Sequence, residues 1–422
     1  MGEGSAAYDE AVLRREVRSW IAANWDPDLT VREWWRRLAD AGWGFPTWPR
    51  EWFGRGLPEE AAEAVHDELA RAGVLGPPEG GGPSMAAPAV FAFGNEEQKA
   101  RFLPAIARGE EFWAQFFSEP GAGSDLASVQ ARAVRDGNEW IVNGQKVWNS
   151  CTLSADRALL VARTDVDVPK HKGIGFFVID IDQPGVDIRP IKQMNGRAEF
   201  NEAFLTDARV PDANRIGDAN GGWAVAMTVL TNERANFAGG GGATPLRSIE
   251  SGAKFGHLDR RVGDVLAEDR PPGTLANGLA IGTIDAVIDL ARQHRRLADP
   301  VIRQRIAALH AFSEALRLTE LRGRAAARAG RGGGESSITY LGGVQMVRMY
   351  RDLVAEIAGA YALLGETTVA ETITTAPAHG IQGGTEQIQR NVIGERLLGL
   401  PREPQVDRDV PFRDVRVGTQ RS

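Results

Sequence analysis

The sequence predicts a multidomain α+β fold in which helices, then strands, then helices again follow one another. Apolar residues recur at helical spacing through the first part of the chain, change to strand-like runs flanked by turn residues, and then return to helical spacing. At 422 residues the chain is also too long to bury a single core. We therefore expect three domains and a tail, with the boundaries 1–112, 113–221, 222–404 and 405–422.

The N-terminal region carries several helix-start signals. Thr30 is placed to cap one helix, Pro58 sits at the start of another ahead of two glutamates, and Asn95 opens a third. The Gly- and Pro-rich residues 76–83 predict a loop between helices. Seven of the eleven tryptophans lie before residue 53, and we expect them to pack a helical core rather than line a substrate tunnel.

The middle region reads as a compact β domain or barrel. A strand is expected where Trp113, Phe116 and Phe117 precede a small-residue loop. Asn143-Gly144 stands between two apolar runs, the sequence signal of a hairpin, because both residues tolerate positive φ. The other predicted strands are Leu159–Val161, Ile174–Ile181, Val186–Ile191 and Phe200–Leu205.

The C-terminal region is helical again. A first helix is expected from Trp223 through Glu233, with a break at the four glycines Gly239–Gly242. Residues 243–273 are polar and interrupted by Gly and Pro, and their pattern gives no position for them. Further helices are predicted over 275–298, 300–329 and 338–364, and from about Thr385.

Composition excludes several classes of function. The formal net charge is −7, without a dense Lys/Arg cluster, which argues against a nucleic-acid partner. No apolar run is long enough to span a membrane, and the N-terminus lacks the parts of a secretory signal. The single cysteine, Cys151, precludes an internal disulfide and fits a reducing compartment, so we expect a cytoplasmic protein. The six histidines show no metal-ligand spacing.

The loop Pro120–Ser124 has almost no side-chain bulk, so its backbone can approach a flat or anionic ligand closely. With Ser118 as a hydrogen-bonding group and Trp148 as a stacking face, the arrangement suits an isoalloxazine ring. The alternative is a glycine-rich turn and a buried tryptophan in an ordinary β domain.

The strings Q-F-F-S-E-P-G-A-G-S-D and N-G-Q-K-V-W-N-S closely resemble the flavin-contacting segments of the acyl-CoA dehydrogenase family. The resemblance implies an N-terminal helical domain, a central β-barrel-like domain and a C-terminal four-helix bundle, with FAD as cofactor. It implies an oligomer as well, a dimer or tetramer, in which the adenosine half of FAD is contacted by a neighbouring subunit. The residues implied to bind FAD are Gln115, Phe117, Ser118, Gly123, Ser124, Trp148, Asn149 and Ser150, with Thr385, Glu386 and Gln387 at the adenosine half.

The family's usual catalytic base, a glutamate before the final helix, is replaced here by Gly383. Enzymes similar to isovaleryl-CoA dehydrogenase instead carry the base in a Glu-Arg motif on the first C-terminal helix, which matches Glu233-Arg234. The resemblance therefore implies that Glu233 is the base and that Ser124, Arg234 and Gly383 lie on the substrate side. The alternative is that Glu233 and Arg234 are an ordinary surface charge pair.

The activity implied is removal of an α-proton from an acyl-CoA by Glu233 and transfer of the β-hydride to flavin N5, giving a 2,3-enoyl-CoA. An electron-transferring flavoprotein is the expected electron acceptor. Two alternatives keep the fold: a non-catalytic partner subunit in a hetero-oligomer, and a flavin oxidase or monooxygenase that uses O₂. The altered pyrophosphate motif around Arg292, Arg295 and Arg296 resembles the actinobacterial branch that oxidises bulky acyl chains such as steroid side chains.

Overall fold

The computed structural model describes residues 8–238, 246–268, 283–328, 334–364 and 367–415, with the side chains of 234–238 and 327–328 left out. The predicted break at Gly239–Gly242 and the start of the helix predicted from residue 275 lie outside these ranges.

The N-terminal region is helical, as predicted. Thr30 caps the second helix in a capping box with Glu33, and Asn95 forms the same motif with Gln98, so both predicted helix starts are confirmed. The helices are α1 (Glu10–Asn24), α2 (Val31–Asp40), α3 (Glu59–Arg71), α4 (Ala87–Phe93) and α5 (Glu96–Ala107).

Five of the seven early tryptophans pack the core between these helices, as expected, whereas Trp48 and Trp52 pack, partly buried, against a second cluster. Trp34 and Trp35 are fully buried. Their indole N–H groups donate to the carbonyl oxygens of Leu75, at 2.7 Å, and Gly76, at 2.9 Å. Each ring therefore buries a large apolar area while its one polar group is satisfied.

Residues 246–268, which the sequence pattern could not place, pack against the N-terminal helices. The short helix α7 (Val262–Ala267) lies in this segment. Leu258, Val262 and Val265 are buried in the same apolar cluster as Trp34. Backbone bonds fix the segment at the start of α2, where the N–H of Val31 donates to the carbonyl of Arg260 at 2.9 Å. This segment follows the first C-terminal helix, α6 (Gly222–Ala238), in sequence but completes the N-terminal core.

The central region is a curled seven-stranded sheet. Its hydrogen-bonded order is β1-β4-β2-β3-β7-β6, with β5 paired to β4. The β1–β4 pair is parallel, whereas β3–β7 and β4–β5 are antiparallel. The strands are β1 (Trp113–Phe116), β2 (Arg132–Asp136), β3 (Glu139–Ser150), β4 (Arg157–Arg163), β5 (Ile174–Asp180), β6 (Val186–Pro190) and β7 (Phe200–Pro211).

The hairpin predicted at Asn143-Gly144 is wrong. β3 runs without a turn from Glu139 to Ser150, and the hairpin joins β2 to β3 at residues 137–138 instead. Asn143-Gly144 forms a bulge, where the β3–β7 register shifts. The Asn143 side chain exchanges two 2.9 Å hydrogen bonds with Asp207 on β7, which stabilises this irregularity. An Asn-Gly pair indicates a position of positive φ, and such a position occurs in β-bulges as well as in hairpin turns.

The C-terminal region is helical, as predicted. Its central helix is α10, which contacts α6, α8, α9, α11 and α12. The helices are α6 (Gly222–Ala238), α8 (Ile284–Gln293), α9 (Pro300–Arg328), α10 (Glu335–Ala358), α11 (Thr368–Thr375) and α12 (Glu386–Val392). Within the described ranges no single helix is long and apolar enough to cross a membrane, although the bent pair Glu335–Leu363 and Thr368–Gly380 passes that test jointly.

Candidate active site

The buried side chain of Glu119, directly before the loop Pro120–Ser124, stabilises this loop through hydrogen bonds. The N–H of Glu119 and that of Ala122 each donate to the other's carbonyl, at 2.9 and 3.0 Å, which closes a tight turn. The Glu119 carboxylate accepts hydrogen bonds from the N–H groups of Gln130, at 2.7 Å, and Ala131, at 2.9 Å. The loop therefore starts and ends at fixed backbone points, while Gly123 and Ser124 stay exposed.

A buried lysine on β3 completes this support. The Lys146 ammonium is fully buried and donates to Glu119, at 2.7 Å, and to the carbonyl of Phe117, at 3.0 Å. Burial lowers the pKa of Lys146, and the negative charge of Glu119 opposes that shift. Removing either partner would leave a buried charge uncompensated, so the pair ties the loop firmly to β3.

Trp148 lies beside the loop, on the same strand as Lys146. The N–H of Val147 donates to the carbonyl of Ser118 at 2.9 Å, which brings the end of β3 against the loop as expected. Trp148 adopts a left-handed backbone conformation, with φ of 64°, and its side chain is 59% exposed. One edge of its ring packs against Phe200, with 6.0 Å between centroids. Most of this large planar surface remains open to a ligand.

Gln115 joins the strand before the loop to the first C-terminal helix. Its backbone carbonyl accepts a 2.6 Å hydrogen bond from the side-chain amide of Asn149. Its own side-chain amide donates to the Glu233 carboxylate at 3.2 Å, across 118 residues of sequence. The structure thus brings together Gln115, Asn149 and Glu233, three residues singled out from the sequence.

The position of Glu233 is fixed by the packing of α6. Gly222 starts this helix so close to β5 that a Cβ there would lie 2.5 Å from the carbonyl carbon of Gly175. Val225 and Val229 are then buried in the same apolar cluster as Phe117, which precedes the loop. The core that fixes the loop thereby also fixes the helix that carries Glu233, whose side chain is half-buried.

These residues fit a flavin. An exposed tryptophan offers a stacking face, and the hydroxyls of Ser118, Ser124 and Ser150 offer hydrogen bonds to a polar ring edge. The buried Asn149 retains one side-chain oxygen without a hydrogen-bond partner, an acceptor available beside the loop. A planar ring with alternating donors and acceptors matches this combination.

Gly383 occupies a backbone conformation that favours glycine, with φ of 65°. The carbonyl of the preceding Gln382 accepts a hydrogen bond from the hydroxyl of Tyr340 on α10. Burial raises the pKa of Tyr340 to about 12, with further contributions from the charges of Glu386 and Glu233. Tyr340 therefore lies within electrostatic reach of Glu233 and contacts the segment next to Gly383.

The predicted adenosine contacts lie at the start of α12. Thr385 caps this helix through a 3.3 Å bond from the N–H of Ile388, and Gln387 is exposed. The Glu386 carboxylate is held by Arg348 and Arg390. Burial alone would raise the pKa of Glu386, but the hydrogen bonds from these arginines lower it below its usual value. Glu386 is therefore engaged within its own chain.

Two further groups of residues from the sequence analysis are Arg234 and the arginines near the end of α8. Arg234 lies on α6, but its side chain is outside the described residues. Near the end of α8, Arg292 pairs with Asp289 at 2.5 Å and Arg296 pairs with Asp299 at 3.0 Å, and Arg295 is exposed. No bond in the described structure joins these arginines to the loop.

Sequence reasoning missed the residues that hold the loop. Glu119 and Lys146 belong to the strings that carry the resemblance, yet neither was assigned a role. A charged residue inside a strand of apolar neighbours was the available signal, since such a residue is buried only when paired. Tyr340 carried no comparable signal.

Three family models match the chain and together span most of it. They are the acyl-CoA dehydrogenase N-terminal domain at residues 9–110, the middle domain at 114–208 and the C-terminal domain at 272–398.

Similar proteins agree with these matches. The acyl-CoA dehydrogenase IpdE1 of Mycobacterium tuberculosis is 33% identical over 419 residues, covering 94% of this chain and 99% of the relative. Among solved structures, the Tcur3481-Tcur3483 steroid ACAD has a TM-score of 0.67 at 26% identity, covering 93% of this chain and 98% of that one. The ChsE4-ChsE5 complex from M. tuberculosis has a TM-score of 0.65 at 27% identity, covering 95% of this chain and 100% of that one.

Proposed function

The chain belongs to the acyl-CoA dehydrogenase family of flavoprotein oxidoreductases, and we propose that it is an FAD-dependent enzyme that converts an acyl-CoA thioester to its 2,3-enoyl-CoA. The hydrogen bond from Gln115 to Glu233 carries this proposal. It sets the carboxylate on α6 beside the strand that enters the small-residue loop. α,β-Dehydrogenation requires a base close to the flavin, and this hydrogen bond places Glu233 against the strand proposed to contact the flavin.

In this proposal Glu233 takes the α-proton of the substrate. Its carboxylate is oriented by the Gln115 amide and is only partly open to solvent. FAD, when bound, supplies the acceptor for the β-hydride. Ser118, Ser124 and the exposed face of Trp148 would hold the ring, with Gln115, Phe117, Gly123, Asn149 and Ser150 around them. Thr385, Glu386 and Gln387 would hold the adenosine half, and Arg234 and Gly383 would lie near the substrate.

The glycine at position 383 supports Glu233 as the base. No carboxylate stands at the family's more common position, and the nearest one, Glu386, is neutralised by two arginines. Removal of an α-proton from a thioester needs a base that is held in position, and general-base catalysis contributes about 10²–10⁴-fold to rate. Glu233 is the carboxylate whose surroundings fit that task.

The test is the change Glu233→Gln in the FAD-loaded protein. We expect anaerobic bleaching of the flavin by a good acyl-CoA substrate to fall by about 10²–10⁴-fold, because the amide cannot accept the proton. The flavin content should stay at the wild-type level, since the substitution keeps the shape of the side chain. Undiminished bleaching would show that another group is the base.

We propose a bulky acyl chain as substrate, on the similarity to a steroid ACAD. A panel of straight-chain, branched and steroid-side-chain acyl-CoA thioesters, scored by the rate of flavin bleaching, would identify the class. An electron-transferring flavoprotein is the proposed acceptor. Reoxidation by O₂ with stoichiometric peroxide, faster than by that acceptor, would instead identify an oxidase.

A second candidate keeps the fold but makes this chain one subunit of a mixed oligomer. The similarity to the ChsE4-ChsE5 complex favours it. So does the string Ala358-Gly359-Ala360-Tyr361, which stands where the resemblance to the family would place a Gly-Gly string. Flavin bound after co-expression with a homologous chain, but not after expression alone, would select this candidate.

A further inference from the structure

The C-terminal segment 405–415 packs against the β4–β5 connection of the central sheet. The N–H of Phe412 donates to the carbonyl of Val168 at 2.9 Å, and that of Arg413 donates to Val166 at 3.0 Å. Phe412 and Val415 are each only 8% exposed. Residues expected to be a tail therefore form an ordered contact with the domain that carries the small-residue loop.

A buried arginine links this contact to the residues that follow the loop. Arg163, at the end of β4, is 2% exposed, and its guanidinium lies 3.7 Å from the centroid of the Phe412 ring. The same guanidinium donates to the carbonyl oxygens of Ala127 and Val129, directly after the loop. The aromatic ring thus covers one face of a cation whose N–H groups bind the backbone that follows the loop.

A lysine makes the second link, this time to the residue that follows the loop. The Lys170 ammonium donates to Asp407 of the C-terminal segment at 2.8 Å and to Asp125 at 2.9 Å. Asp125 directly follows Ser124. Burial lowers the pKa of Lys170, but the hydrogen bonds to the two aspartates outweigh this and raise it overall, so the ammonium stays charged. Its side chain is 10% exposed, which limits screening by solvent.

We propose that segment 405–415 is a brace that fixes the conformation of the Pro120–Ser124 loop through the chain of contacts Asp407–Lys170–Asp125, with Lys170 as a positioning residue for FAD binding. The link to FAD rests on the function proposed above. Glu119 holds the backbone of Gln130 and Ala131, whereas the brace acts through the side chain of Asp125. Neither Lys170 nor Asp407 contacts Gln115 or Glu233 in the described bonds.

The test compares full-length variants Asp407→Asn and Lys170→Met with Arg413→Ala. Arg413 lies in the same segment and makes an exposed 2.7 Å ion pair with Asp167, away from the loop, so it is the matched control. In the apo-proteins we expect amide hydrogen exchange within residues 118–131 to accelerate in the first two variants only. FAD affinity on reconstitution should weaken about fivefold in both, the loss expected for a partly exposed ion pair.

The double variant separates the brace from a general loss of stability. If Asp407 acts through Lys170, Asp407→Asn should change neither exchange nor affinity further in a Lys170→Met background. Should Lys170→Met fail to fold, Asp407→Asn alone decides, because Asp407 is 31% exposed and the amide keeps its shape. Unchanged loop exchange in Asp407→Asn would overturn the brace. A wild-type chain that binds no FAD would overturn the proposed function. Hydrogen exchange in residues 118–131 of the apo-proteins would still test the brace.

Discussion

At the scale of single residues, Glu119 and Lys146 have a structural role that the sequence does not reveal. Glu119 and Lys146 form a buried ion pair, and Glu119 also accepts two backbone hydrogen bonds. Such a pair stabilises little relative to apolar residues of the same size, but it fixes one arrangement of the chain. The loop proposed to contact the flavin is thus supported by a buried pair of charged residues next to it in the fold.

The first prediction at this scale concerns the side chain of Gln115. In Gln115→Leu the donor to Glu233 is lost, and we expect the rate of flavin bleaching at saturating acyl-CoA to fall about 10–100-fold, the loss of a hydrogen bond to a charged group. The Michaelis constant should change much less, because the amide acts on the base. Stopped-flow measurement under anaerobic conditions gives both quantities.

Gln145→Leu is the matched control. Gln145 donates to Glu202 on β7 over the same 3.2 Å. Its bleaching rate should stay at the wild-type value. If Gln115→Leu bleached as fast as Gln145→Leu, the amide would have no part in orienting the base.

At the scale of elements, the bulge in β3 explains how one strand serves two purposes. The first half of β3 pairs with β2 and the second half approaches the loop, and the bulge at Asn143-Gly144 lies between the two. An extra residue on one strand bends it and increases its twist. The bend allows the far end of β3, with Trp148, to reach Ser118.

Gly144 should therefore be intolerant of a side chain. Its φ is 154°, and a Cβ would lie 2.5 Å from the Cβ of Ala131. We expect Gly144→Ala to destabilise the protein by about 1–3 kcal/mol, the cost of overpacking a core position. Urea unfolding of the apo-protein measures the difference.

The comparison for that experiment is Gly343→Ala. Gly343 lies inside α10, and a Cβ there would meet no atom within 4 Å. This substitution should leave stability unchanged or raise it by about 0.5–1 kcal/mol, since alanine favours helix over glycine. Equal effects of the two substitutions would mean that the bulge has no steric requirement.

At the scale of the whole molecule, the order of the chain and the order of the cores differ. Residues 246–268 come after the first C-terminal helix, yet they complete the N-terminal core. Residues 405–415 come after the last one, yet they pack on the central sheet. One segment therefore links the C-terminal region to the N-terminal core, and the other links it to the central sheet.

The N-terminal core should consequently depend on a residue far along the chain. Leu258 is 2% exposed, and we expect Leu258→Ala to lower the free energy of unfolding by about 2–5 kcal/mol through loss of buried area and a residual cavity. Leu318→Ala, at a 56% exposed position on α9, should change it by less than about 0.5 kcal/mol.

Hydrogen exchange in α2 would localise the effect. Faster exchange there in Leu258→Ala, with α10 unchanged, is the expected pattern, because Leu258 packs beside Trp34 on α2. A loss of protection confined to the C-terminal helices would contradict the packing described here.

The sequence by itself determined the order of helices and strands, two helix caps and the strings that identify the family. These depend on periodicity, on capping groups and on residues close together in the chain, so a linear reading contains them. Glycine at 383 and glutamate at 233 were visible for the same reason.

Only the tertiary structure decided what the residues touch. The Gln115–Glu233 contact joins residues 118 positions apart, and the Asp407–Lys170 contact joins residues 237 apart. It also decided that Asn143-Gly144 is a bulge, because the bonds to Asp207 that fix it come from another strand. Contacts between distant residues depend on how the cores pack, and local pattern carries no information about that.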